Sequence, residues 1–168
     1  MEPLQIFAQA LGVIGFVLTF ISYQSKKPRT LLLLQTVSTA IFVLHYHLIG
    51  ASSGMLLNIV CIIRNIVYFN KDKKIFSYRF YPYFFASLIA VLCALSWQGA
   101  VSLLITVALF FNTVFLSFGK QNFLRATVIV TSSLILVYNV FVFSLGGILN
   151  EGVAVLSSII GLLRYRKE

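Results

Sequence analysis

Asn58 stands inside an apolar run, with Leu56-Leu57 before it and Ile59-Val60 after it. A carboxamide has two donors and two lone pairs to satisfy, and apolar neighbours satisfy none of them. Asn58 therefore reads either as an interhelical hydrogen-bonding group or as a polar contact lining a water-filled cavity. Arg64, on the same run, reads either as a long side chain reaching a polar boundary or as a gate that meets an anion. Tyr46 lies between His45 and His47, and Tyr138 precedes Asn139. Residues two apart on a helix point to nearly opposite faces, so the two histidines do not make a bidentate metal site. Asn112 and the pair Ser157-Ser158 are further polar groups within apolar runs, and small serines also favour close helix packing.

Catalysis finds no constellation here. The four acids, Glu2, Asp72, Glu151 and Glu168, are expected at loops or termini. No paired carboxylates at mid-depth and no phosphate-cradling glycine loop are expected, so neither an enzyme nor a cofactor is implied. Cys61 and Cys93 lie within apolar runs and read as inert packing.

The elements that must position these groups are apolar segments at about 5–23, 30–49, 52–69, 80–97, 99–117, 122–143 and 147–164. At 1.5 Å per residue, segments of about 18–22 residues cross a hydrocarbon core of about 30 Å. Composition agrees: the chain is 60% hydrophobic and 10% charged, with a mean hydropathy of +0.97. A soluble domain carries about a quarter charged residues. The expected class is an all-α membrane protein with seven spans.

The net charge of +9 is a topology signal. Lys26, Lys27 and Arg29 follow the first segment, and Lys71, Lys73, Lys74 and Arg79 follow the third. Lys120 and Arg125 flank the fifth-to-sixth turn, and Arg164, Arg166 and Lys167 follow the seventh segment. The alternate connections carry no basic residue. The positive-inside rule then places the N-terminus outside and the C-terminus in the cytoplasm. Basic residues confined to such turns indicate anionic lipid at the cytoplasmic face and no nucleic-acid partner. The first segment lacks a basic lead and a small-residue cleavage site, and it is expected to be retained.

A weak internal repeat runs through the chain. Phe20-Ile21-Ser22 resembles Phe115-Leu116-Ser117, and Ser38 aligns with Ser133. Each copy then reaches a glycine turn, Gly50 or Gly146-Gly147. The expected units are a three-helix bundle at 1–71, a linker with the fourth helix at 72–98, and a second bundle at 99–168. That is a three-plus-one-plus-three plan with parallel repeats.

Several stretches resemble the SWEET and SemiSWEET sugar transporters. Leu18-Thr19-Phe20-Ile21-Ser22-Tyr23-Gln24-Ser25-Lys26-Lys27 is similar to the end of their first helix. Phe42 to Gly50 resembles their second helix, with Tyr46 at the position of a Trp, and Leu57-Asn58-Ile59-Val60 resembles a third-helix Asn motif that contacts substrate. Size and overall pattern more closely resemble the bacterial inner-membrane family called YgjV, itself SWEET-like. The chain departs from SWEET at three points. Tyr23 replaces the proline before Gln24, no proline lies in a span beyond its first turn, and Val153 or Ala154 falls where the second Asn would be. Any rocking then falls to glycines such as Gly12, Gly15, Gly54, Gly152 and Gly161.

The resemblance implies a facilitative carrier in the bacterial inner membrane, with Asn58, Tyr46, Asn139, Ser157 and Asn112 around a solute and Gln24 and Arg64 on the cytoplasmic side. Without a charge at mid-depth the solute is expected to be uncharged, and the resemblance favours a sugar. Two rival expectations stand beside it: a vitamin-like aromatic solute, and a non-transporting scaffold or partner subunit. Seven spans can enclose a pathway in a monomer, and a homo-oligomer is equally compatible.

Overall fold

Apolar runs broken by Pro, Gly and Ser fold into seven helices in the computed structural model, which describes residues 3–23, 28–70, 80–115 and 121–164. They are α1 (Pro3–Tyr23), α2 (Pro28–Leu48), α3 (Ser52–Phe69), α4 (Tyr81–Leu95), α5 (Val101–Phe115), α6 (Gln121–Phe141) and α7 (Leu145–Arg164). There is no strand among the described residues. Pro82 sits in the first turn of α4, where its missing N–H has no intrahelical partner to lose. Two helical stretches, Pro3–Ser22 and Leu145–Leu163, are long and apolar enough to cross a membrane. The described residues of the other five hold shorter apolar stretches, Leu33–Leu48, Ser52–Val67, Tyr81–Leu95, Val101–Phe115 and Arg125–Phe141.

The exterior is rich in large apolar side chains, and the interior mixes an apolar core with many polar groups. Leu95, Phe143 and Leu163 are more than 70% exposed, while Ser22, His45, Ser53, Thr113, Asn139 and Ser144 are fully buried. Polar side chains can sit inside when they bond to each other, and an apolar exterior suits lipid. Helices adjacent in the chain pack together, with α1 also against α7 and α3 also against α5.

The α2–α3 and α6–α7 turns share one backbone plan. Ile49, Gly50, Ala51 and Met55 donate to the carbonyls of His45, His47, Tyr46 and Ala51. Val142, Phe143, Ser144 and Ile148 donate to those of Tyr138, Val140, Asn139 and Ser144, each exactly matched at a spacing of 93 residues. The left-handed position is Gly50 in one turn (φ 74°) and Phe143 in the other (φ 55°). Gly146-Gly147, expected to form the second turn, instead lie in the first turn of α7. Gly146 is needed there for space, since a methyl group would overlap the Gly12 backbone of α1.

Each turn is braced by a glutamine from elsewhere. Gln9 of α1 donates from Nε2 to the Phe143 carbonyl (2.6 Å) and accepts from the Leu145 amide at Oε1 (3.0 Å). Gln98 donates to the Gly50 carbonyl (2.9 Å) and accepts from the Ser53 amide (3.2 Å).

Candidate functional site

Side chains at three- and four-residue spacing share one face of a helix. On α2 that face is Gln35, Ser38, Thr39, Phe42 and Tyr46, and on α3 it is Asn58, Cys61, Arg64 and Asn65. The two faces form most of the wall of a cavity of about 180 Å³. Thr19 of α1, Ile105 and Leu109 of α5, Ile135 of α6, and Gly147, Asn150 and Glu151 of α7 supply the rest. Thr19 and Ser38 are locked together (2.6 Å), and the Ser38 hydroxyl also reaches the Gly15 carbonyl (2.6 Å), which holds α1 to α2.

Asn58 lines this cavity. Its Nδ2 donates to the Gly54 carbonyl one turn back (2.7 Å), and no described residue donates to its Oδ1. Arg64 also lines it, and its Nη1 donates across to Thr113 Oγ1 of α5 (2.8 Å). The Arg64 Nε is buried without a partner among the described residues. Tyr46 gives the cavity a ring wall, and its hydroxyl donates to Asn139 Oδ1 (2.7 Å). Asn139 itself is fully buried behind Tyr46 and does not line the space. Asn112 is half-buried on α5 and Ser157 is exposed on α7, both outside the lining. Gln24 lies outside the described residues.

Glu151 is the residue that sequence reasoning misplaced. Assigned to a loop or terminus, it stands in the second turn of α7 and lines the cavity, where Oε1 accepts from Asn150 Nδ2 (2.9 Å). The cavity thus holds an acidic side chain that the sequence reading did not place there. The signal was available in the turn spacing. Counting 93 residues from Asn58 gives Glu151, whereas matching letters gave Val153 or Ala154. The same count sets Thr131, which is buried, opposite Ser38, while Ser133 is exposed.

A buried polar knot closes the cavity toward the two turns. His45 Nδ1 donates to the Ala8 carbonyl (2.7 Å), since a carbonyl can only accept. In the neutral ring Nε2 then accepts from the Ser144 hydroxyl (2.7 Å), whose oxygen accepts from the Gly147 amide (3.1 Å). Tyr138, the residue 93 positions after His45, reaches the opposite helix start directly, and its hydroxyl accepts from the Gly54 amide (2.9 Å). Tyr46 and Asn139, which bond to each other, are likewise 93 apart. The knot ties α1, α2, α3, α6 and α7 together. No metal-binding cluster of His, Cys, Asp and Glu occurs among the described residues.

No curated protein and no solved structure matches the chain. The profile of one family, Imp-YgjV, described as a bacterial inner membrane protein, matches residues 6–168. That span takes in all seven helices but the first few residues of α1, and the apolar exterior agrees with the description. The chain belongs to the Imp-YgjV family of bacterial inner membrane proteins.

Proposed function

We propose that the protein is a facilitative carrier for a small polar solute, working by alternating access between two three-helix units, α1–α3 and α5–α7, joined by α4. The cavity carries this reading. Polar side chains from both units converge on it, and Asn58 and Arg64 hold bonding capacity that no described residue uses. A sealed scaffold gains nothing from such groups, because unpaired buried polar atoms are costly. The matching turns and their glutamine braces support a repeat of like orientation. With all seven helices crossing and basic turns inside, the N-terminus is outside, the knot lies toward the outer face, and the cavity belongs to an inward-facing state. Among the described residues the aromatic lining residues are Phe42 and Tyr46, which share one wall, and this disfavours a stacked aromatic solute. At about 180 Å³ the space is below the roughly 300–1,000 Å³ of pockets for drug-sized ligands, so the solute is of monosaccharide size or smaller. Sugar remains the class implied by the resemblance to SWEET transporters. One chain encloses the cavity, so a monomer suffices.

Counterflow in proteoliposomes tests the reading, with labelled monosaccharides and small polar solutes on wild type and Asn58→Ala. Exchange that is lost in the variant supports a carrier with its site at Asn58. Cys61 provides a native reporter, because it lines the cavity while Cys93 is buried with its Sγ toward the Ser102 carbonyl. A water-soluble maleimide is expected to modify Cys61 and to spare Cys93. Absence of both exchange and Cys61 labelling would transfer the argument to the scaffold.

A further inference from the structure

We infer that the cavity is a site for a small zwitterion, with Glu151 receiving a cationic group and Arg64 an anionic group of the same solute. Both side chains line the one cavity, from different units, and they form no ion pair with each other or with any described residue. Arg64 has one bond, to a neutral hydroxyl, and a buried Nε without a partner. Glu151 has only neutral partners, the Asn150 amide and the Ser132 hydroxyl. Half-buried charges of opposite sign that are left apart require compensation from something else, and among the described residues the space that both line is the cavity.

The turn spacing puts Glu151 at the position of α7 that Asn58 holds on α3. Arg64 lies six residues beyond Asn58, about 9 Å along the helix axis. The acidic pole and the free Asn58 Oδ1 therefore sit near the knot and the basic pole at the far end. A neutral sugar would leave both poles unanswered. An ion of one sign would answer only one. A solute with an ammonium and a carboxylate on a short chain answers both, and a volume of about 180 Å³ is room for about six waters at about 30 Å³ each, which excludes peptides. This inference rests on the reading of the cavity as a solute site and names its substrate class.

The test is direct binding to the purified full chain in detergent, by scintillation proximity with tritiated 5-aminopentanoate. Unlabelled pentanoate, pentylamine, 5-hydroxypentanamide and glucose serve as competitors. The expected result is that unlabelled 5-aminopentanoate competes at least tenfold better than any of the four. Glu151→Gln is expected to weaken it at least tenfold without changing competition by pentanoate, and Arg64→Gln to weaken it equally without changing competition by pentylamine. Equal competition by glucose or the hydroxyamide, or no saturable binding, overturns the inference. Should either variant fail to fold, the wild-type competitor series decides alone. Counterflow separates the two readings. Zwitterion binding without exchange of any solute keeps this site and removes the carrier, whereas glucose exchange indifferent to 5-aminopentanoate keeps the carrier and removes this site.

Discussion

The α2–α3 and α6–α7 turns have the same backbone hydrogen bonds but achieve their closure with different side chains. At the first, Tyr138 arrives from α6 and bonds the Gly54 amide itself. At the second, His45 arrives from α2 and stops one hydroxyl short, and Ser144 completes the path to the Gly147 amide. Ala51 stands in the first turn where Ser144 stands in the second. Ring length and bridging residue thus compensate each other. The backbone sets where a donor must be met, and the side chains need only add up to the distance.

The greatest difference between the turns is expected at the helix starts. Gly146→Ala puts a methyl group into the Gly12 backbone, which cannot rotate away, and should cost about 3 kcal/mol or more. Ser53→Ala, at the corresponding place on α3, removes a hydroxyl bonded to the Ser96 carbonyl and to Ser102, for about 1 kcal/mol. Thermal unfolding in detergent, followed with a thiol-reactive dye on Cys93, measures both. Equal losses would mean that α1 and α7 are not in backbone contact.

Next in size is the knot. Tyr138→Phe leaves the Gly54 amide buried without its acceptor and should cost about 1–3 kcal/mol. Tyr138→His should lose a similar amount, and adding Ala51→Ser should recover about 1 kcal/mol by rebuilding the His–Ser path of the other turn. A double variant no more stable than Tyr138→His would break the idea that bridge and ring compensate.

The braces come third. Gln9→Ala and Gln98→Ala each remove two bonds to a turn and should each cost about 1–2 kcal/mol. Amide exchange should rise at Leu145 in the first variant and at Ser53 in the second, and an effect spread over the whole chain would deny the braces a local role. The smallest effect is at the left-handed positions. Phe143→Gly relieves a side chain held at φ 55° and should gain about 0.5–1 kcal/mol, unless Phe143 (79% exposed) anchors the turn in lipid. Gly50→Ala should lose about 1 kcal/mol, and melting temperatures that move the other way refute the strain argument.

The seven helices were legible in the sequence because apolar runs of sufficient length leave few alternatives, and their limits agree within two residues. Asn58 and Arg64 were legible for the same reason, since a polar group in such a run draws attention wherever it points. Facing was harder to read. Ser157 and Asn112 are polar groups in apolar helices that point away from the cavity, while Gln35 and Thr39, unremarked beforehand, point into it. A likeness between the two turns was legible and its register was not. Apolar letters align at several offsets, and the glycine that seemed to mark the second turn serves a helix contact instead. That slip hid Glu151. The Gln9 and Gln98 braces could not be read at all, because each depends on a turn far away in the chain.

The Tyr46–Asn139 bond joins two residues at matching places in the two turns. In an assembly of two identical chains, a side chain that meets its own counterpart must be self-complementary, donor and acceptor at once. A single chain carrying both copies escapes that condition. It can put a phenol on one side and a carboxamide on the other, one giving the proton and one taking it. The bond thus has a direction that an identical pair could not encode in sequence, and the centre of the molecule is polarised by having both halves written separately.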